Sequence, residues 1–284
     1  MVVIYLLSKK VFLLKTKAKS KLEESILAHL TPEGDLLDLE NKSVTPEHMR
    51  LLCQAGDTLN GVKQLYLSDN GLGDAEIEFL SKSRCFPNLE KLFLNQNKIS
   101  NVGAKALAES KFVQNISYLV LEANQIGVNG VQSLATSLNL KNLETLFLDS
   151  NPIGPQGAEA LSKSTCLPSL SALHLDSTGI GDQGVKAIAA SLILTKLKKL
   201  YLCSNKIGDE GAIALSQSPN LSHLTCLSIW RNEIRDAGGK AIAESIYFLN
   251  LERLYMSLNL IDKPIRKVIR SSDLASRLKT LVMD

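Results

Sequence analysis

Three carboxylates, Glu122, Asp149 and Asp176, recur at intervals of 27 residues, with His174 two positions before the last. Imidazole and carboxylate groups can share a divalent metal or pass a proton near neutral pH, so this set is a candidate metal or acid–base centre. Arg231 and Arg235 offer a second chemistry: an exposed guanidinium can stabilise phosphoryl-transfer charge in a partner enzyme's site. A third set is apolar. Tyr66, Phe93, Phe147, Tyr201 and Tyr255 share the carboxylates' interval or multiples of it, and Trp230 is the one tryptophan in the chain. Large aromatics on an exposed surface serve as anchors for a protein partner. Which chemistry is open depends on the elements that place these residues.

Those elements are repeats. Leu89 to Ile99 reads L-x-x-L-x-L-x-x-N-x-I, and the same pattern runs from Val62 to Ile261. Its ninth slot holds Asn70, Asn97, Asn124, Asn151, Thr178, Asn205, Asn232 and Asn259, 27 residues apart each time. A fixed period in the twenties with this pattern defines a leucine-rich repeat solenoid. The expected fold is an α/β horseshoe with a curved parallel sheet on its concave face and helices on its convex face. Residues 1–35 read as an N-terminal cap, 36–262 as the repeats, and 263–284 as a C-terminal capping helix and last strand.

Each repeat divides in two. The first half is a short strand whose slots 1, 4 and 6 point inward and whose slots 3, 5 and 7 point outward. Strands are expected at Gln64–Leu67, Lys91–Leu94 and their equivalents through Arg253–Met256. The second half is a helix, with Asp182, Asp209 and Asp236 read as caps of their own helices. A glycine column from Gly103 to Gly238 suits close packing of each helix start. The asparagine column carries a donor and an acceptor on one short group and satisfies the backbone where the chain turns inward. Thr178 does only part of that task, so a softer joint is expected there. Ser20 with Glu23 forms a capping box for a helix ending at Leu30, and Thr45-Pro46 opens another. Lys263, Arg266, Lys267 and Arg270 give the last helix the polar outer face a terminal repeat needs.

On this frame slot 5 presents Tyr66, Phe93, Phe147, His174, Tyr201 and Tyr255, slot 7 presents Glu122, Asp149, Asp176 and Trp230, and slot 3 presents Tyr118. An open sheet encloses nothing and keeps out no water, which argues against a metal or acid–base centre at His174. No glycine-rich phosphate loop follows a strand. No catalytic residue, cofactor or metal is therefore assigned, and the chain reads as a non-enzyme. The partner-binding set is Tyr66, Phe93, Tyr118, Glu122, Phe147, Asp149, His174, Asp176, Tyr201, Trp230, Arg231 and Tyr255, all placed in solvent. The matching partner is a protein with an apolar patch rimmed by basic residues.

Composition agrees with a folded chain: 284 residues, 45% hydrophobic, net charge +3. Charges of both signs alternate and no basic block is interleaved with aromatics, which argues against nucleic acid. The five cysteines are an odd number without C-x-x-C, and their slots lie too far apart for disulfides; they read as reduced, in a cytoplasmic setting. The apolar run at Met1–Leu7 is short and precedes its lysines, unlike a secretion signal, and no stretch is long enough for a membrane span.

Segments such as IGDEGAIALSQS and IGDQGVKAIAAS resemble the ribonuclease-inhibitor-like class of leucine-rich repeats. The resemblance covers about residues 36–284. It implies protein binding by the concave sheet and carries over no catalytic residue. The class includes ribonuclease inhibitor, Ran-type GTPase activators, immune-receptor arms and effectors of intracellular bacteria. Compact uniform repeats without an acidic tail or an appended ligase domain look most like such an effector, which would work in the host cytosol. The alternative is a regulator of an enzyme, such as a GTPase activator, acting through Arg231 or Arg235.

Overall fold

A computed structural model describes residues 24–284. The expected cap over residues 1–19 and the Ser20–Glu23 capping box lie outside the described residues. Ten strands form one parallel sheet in chain order: β1 Leu36–Asp38, β2 Gln64–Tyr66, β3 Lys91–Phe93, β4 Tyr118–Val120, β5 Thr145–Phe147, β6 Ala172–His174, β7 Lys199–Tyr201, β8 Cys226–Ser228, β9 Arg253–Tyr255 and β10 Thr280–Val282. From β2 onward the register pairs equal slots, as Leu92 with Leu119 and Leu146 with Leu173. Slot 6 continues the ladder beyond each strand; Leu67 N–H, for example, donates to Phe93 C=O at 2.9 Å.

The helices are α1 Pro46–Leu52, α2 Asp74–Ser81, α3 Asn101–Glu109, α4 Val128–Ala135, α5 Gly154–Ser162, α6 Gly181–Ala189, α7 Asp209–Ser216, α8 Asp236–Ala243, α9 Lys263–Arg270 and α10 Asp273–Arg277. Strands stack about 4.8 Å apart, whereas helices need about 8–10 Å, so a repeat with one of each must curve with the sheet inside. Leu92, Leu94, Leu119, Leu121, Leu146 and Leu148 are fully buried between the layers, as are the helical anchors Leu107, Leu134, Leu161 and Ile188.

The asparagines tie one repeat to the next. Asn97 Nδ2 donates to the carbonyls of Leu67, Leu94 and Asn95 at 3.1, 3.0 and 3.3 Å, while its Oδ1 accepts from Asn70 and Leu72 N–H at 3.2 and 2.9 Å. Thr178 donates through Oγ1 to Leu175 C=O at 2.7 Å but offers no amide to the repeat before it. There Ile153 N–H turns to Asn151 C=O at 2.8 Å, and Gly154 takes φ +63°. Thr178 thus changes the turn before it.

The caps correct one expectation. Asp182, Asp209 and Asp236 do not cap their own helices; each serves the following repeat. Asp182 Oδ1 accepts from Gly208 and Gly211 N–H at 2.8 and 3.0 Å, and Asp209 Oδ1 accepts from Arg235 and Gly238 N–H at 2.9 and 2.8 Å. Asp236 accepts from Asp262 N–H at 2.7 Å. Asp74 and Asn101 do the same for α3 and α4. Glycine is required where these carboxylates arrive: a Cβ on Gly103, Gly211 or Gly238 would stand 2.6 Å from the capping oxygen. Val128 and Pro155 interrupt the column, and the two helices left without such a cap, α5 and α6, open on Gly154 and Gly181 at positive φ.

A serine column closes the opposite helix ends. Ser137, Ser164, Ser191, Ser218 and Ser245 are buried, and their hydroxyls donate to the carbonyls of Ala108, Ala135, Ser162, Ala189 and Ser216 in the repeat before, at 2.5–2.6 Å. The last carbonyls of a helix have no intrahelical donor, and these hydroxyls supply one. At the C-terminal end the arginines of α9 do more than face solvent. Arg270 donates to Met283 C=O at 2.6 Å and Arg266 to Asp284 C=O, holding the edge strand β10 in place.

Candidate functional site

Six rings form one continuous ladder across the concave face from β2 to β7. Tyr66 stacks on Phe93 with centroids 4.1 Å apart; Phe147 stacks on His174 at 3.7 Å, and His174 on Tyr201 at 4.1 Å. Tyr118 joins the two halves, tilted against Phe93 at 5.5 Å and Phe147 at 5.3 Å. Strand β4 has Val120 in slot 5, and Tyr118 leans across from slot 3 to fill that rung, leaving Val120 only 7% exposed. All six rings remain half-buried, so they pack together and still present a surface. Because their faces are turned to one another, the rims face outward. Ring rims carry the positive end of the aromatic quadrupole, so the ladder suits apolar and carbonyl groups better than cations.

The carboxylate column sits differently from its expected exposure. Asp149 is buried, 8% exposed, and its Oδ1 accepts from Asp176 N–H at 2.6 Å. Asp176 is half-buried and accepts from Cys203 N–H at 2.7 Å. The chain of bonds ends at Cys203 Sγ and Ser228 Oγ, 3.0 Å apart. Slot 7 therefore stitches strand ends together, because the backbone there leaves N–H groups that a short side chain on the preceding strand can reach. Burial pushes the Asp149 carboxyl up to about 7, with Asp176 and Glu122 adding repulsion. Asp176 is raised for the same leading reason. Glu122 is half-buried, its carboxylate makes no hydrogen bond among the described residues, and it carries the column's accessible charge.

His174 is not joined to the carboxylates. Its ring lies between Phe147 and Tyr201, and both aspartates are engaged with backbone N–H groups. Burial lowers its pKa to about 4, and Lys199 adds to the effect, so the imidazole is neutral at physiological pH. The metal or acid–base grouping suggested by spacing is thus not assembled among the described residues.

Trp230 lies apart from the ladder. It is 40% exposed and takes part in no ring contact or side-chain hydrogen bond among the described residues. Arg231 follows it at φ +55°, in the left-handed turn that each repeat makes after its strand, and is exposed. Arg235 is also exposed; its N–H, not its guanidinium, is bound by Asp209. Tyr255 occupies slot 5 of β9, separated from Tyr201 by Ser228. Arg253, in slot 3 of the same strand, lies outside the expected partner-binding set; its enclosed Nε has no acceptor among the described residues. A break in the slot-5 column at Ser228 is the signal that draws attention to it. All five cysteines are free, and burial raises the Cys53 and Cys203 thiols to about 11, where they stay protonated.

A leucine-rich repeat profile matches residues 87–108, 139–162, 166–189, 194–216 and 220–243. No curated protein matches the chain. Among solved structures, the crystal structure of an internalin from Listeria monocytogenes aligns with a TM-score of 0.55 and 23% identity, over 88% of this chain and 66% of that one. The chain so spans just under two thirds of that internalin's length, and the likeness is one of fold.

Proposed function

We propose that this leucine-rich repeat protein is a non-catalytic module that binds a protein partner through the concave face of its sheet. The observation that carries the reading is Trp230, the one tryptophan, 40% exposed and without a ring contact or side-chain hydrogen bond among the described residues. A surface tryptophan on a rigid scaffold offers large contact area with little entropy to lose on binding. The ring ladder on β2 to β7 is fixed in advance by stacking. Toward β4–β6 the partner carries an apolar surface with a basic margin, matching Glu122, the accessible carboxylate of the column.

In its finer form the module is a bacterial effector acting on a host protein in the host cytosol. Uniform repeats and five unpaired thiols, which suit a reducing compartment, support this form. A second reading, regulation of a GTPase, rests on Arg231, exposed in a strand-end turn. It requires Arg231→Ala or Arg235→Ala to abolish stimulation of GTP hydrolysis while binding persists; absence of stimulation across a panel of small GTPases removes it.

The main reading is tested by quantitative co-purification of partners from host-cell lysate. Glu122→Lys with Trp230→Ala should lose the partner, and Val102→Ala, on the convex side and 55% exposed, should retain it. A partner kept by the double variant and lost by Val102→Ala would place binding on the helices instead.

A further inference from the structure

We infer that one flank of the solenoid docks on an anionic lipid bilayer, with Leu138, Leu192 and Ile246 entering the headgroup layer. On this flank each repeat's helix ends and the next strand begins, and these residues stand in the loops between. They occupy the same place in their repeats, 54 residues or two repeats apart. At 81%, 79% and 72% they are the most exposed large hydrophobic side chains among the described residues. Leu249, also exposed, adds a second aliphatic in the loop of Ile246.

Their exposure is built into the turn. Each follows a buried serine of the column that donates to the repeat before, and the same Oγ accepts the N–H two residues on: from Asn139 and Ile193 at 3.2 Å and from Tyr247 at 3.3 Å. The aliphatic residue is thus the middle of a closed serine turn. Leu140, Leu194 and Phe248 then return the chain to the core, so the tip is fixed outward. The intervening repeats place Thr165 and Pro219 at the tip. With strands about 4.8 Å and helices about 8–10 Å apart, two repeats separate the aliphatic tips by about 10–20 Å. Protrusions so far apart form no continuous apolar patch for one protein face, whereas a headgroup layer admits them all at once.

Charge selects the kind of bilayer. The loops at 110–117, 136–144, 163–171, 190–198 and 217–225 carry five lysines and one carboxylate, Glu144. Lys163 is paired with Glu159, but Lys111, Lys141, Lys196 and Lys198 are exposed and make no ion pair or side-chain hydrogen bond among the described residues. The loop of Ile246 holds Glu244 and Glu252, and each is paired with a lysine, Lys240 and Lys279. Lysines near helix C-termini also complement the helix dipoles, which accounts for cations here but not for aliphatic tips between them. Aliphatic tips flanked by free lysines are the chemistry of an interfacial contact with anionic headgroups. Trp230 follows the C-terminal end of β8, away from this flank, so the concave face stays open to its protein partner.

The test is co-sedimentation with vesicles of phosphatidylcholine containing about 30% phosphatidylserine, against vesicles of phosphatidylcholine alone. Binding to the mixture is expected, at least about tenfold stronger than to the neutral lipid. Leu138→Ser with Leu192→Ser should weaken it about tenfold or more, and so should Lys141→Gln with Lys196→Gln. Lys98→Gln with Lys206→Gln removes the same charge beyond the opposite ends of the strands and should bind as the native chain does. Insertion is read separately: with Trp230→Phe as background, Leu192→Trp places an indole at a tip, and brominated lipid should quench its emission. Circular dichroism checks that each variant is folded. No binding to the mixed vesicles, full binding by the folded leucine variant, or an unquenched indole overturns the inference. A lysate protein retained by the native chain and lost with Leu138→Ser and Leu192→Ser, while vesicles are ignored, would give the flank to a protein instead.

Discussion

Asp182 belongs to α6, yet its Oδ1 holds the first turn of α7 through Gly211 N–H at 3.0 Å. A cap supplied by the neighbouring repeat couples the stability of adjacent repeats, as a one-dimensional stack requires. Asp182→Ala should cost about 1 kcal/mol. Hydrogen exchange should show protection lost at residues 208–212 and kept within α6; the reverse pattern would return the cap to its own helix. Gly211→Ala should cost more, about 1–3 kcal/mol, because its Cβ would lie 2.6 Å from that same oxygen.

Removal of an asparagine rung should depend on its place. Asn151 is 1% exposed, donates to three carbonyls and accepts from Ile126 N–H at 2.9 Å. Asn151→Ala leaves those groups unpaired and should lower stability by about 1–3 kcal/mol or more. Thr178→Ala removes a single hydroxyl, already bypassed by the turn at Ile153, and should cost less. Urea unfolding midpoints at constant m-value measure the difference, and equal costs would show that the amide is not the operative group.

Two buried ionisable groups should act oppositely on the pH dependence of stability. Asp149 is raised to about 7, so its contribution is complete below its unfolded value and lost as pH rises toward 7. His174 is lowered to about 4, so its contribution is complete above its unfolded value and lost as pH falls from about 6.5 toward 4. Between about pH 4 and 6.5 the two slopes cancel. Asp149→Asn keeps an acceptor for Asp176 N–H and should unmask a stability that rises with pH in that window. His174→Gln should unmask one that falls, with Asp176 adding the same sign. Thermal melts from pH 4 to 8 decide this; parallel profiles for both variants would refute the assignment.

Stability also separates the concave-face residues into two kinds. Phe147 is stacked on His174 and tilted against Tyr118, so Phe147→Ala should cost about 1–2 kcal/mol. Trp230→Ala removes no ring contact among the described residues and should cost only the burial of the indole's covered part, about 1–2 kcal/mol, without loosening the ladder. Leu148→Ala, fully buried beneath them, should cost about 2–5 kcal/mol. Binding tests on this face are cleanest at Trp230 and Glu122, and a Trp230→Ala variant that unfolds early would show that its ring supports the sheet.

The sequence alone determined the frame. Slots 4 and 6 must be buried and slot 9 must bond the turn in every copy, so one unbroken period specifies strand order, register and the direction of each side chain. What it could not settle is how neighbouring copies share atoms. Asp182 looks like an N-cap of α6 in one dimension, and only the stacking of repeats brings it to α7. The serine column was visible as a period, but its acceptors lie one repeat back and become apparent only when helices are placed side by side. Asp149 belongs to an outward slot, yet its oxygen reaches Asp176 N–H and the neighbouring strands exclude water from it. Tyr118 leaves slot 3 to cover Val120. Slot periodicity fixes where a side chain starts; lateral packing between repeats, about 4.8 Å apart at the sheet, decides where it ends and which surface remains for a partner.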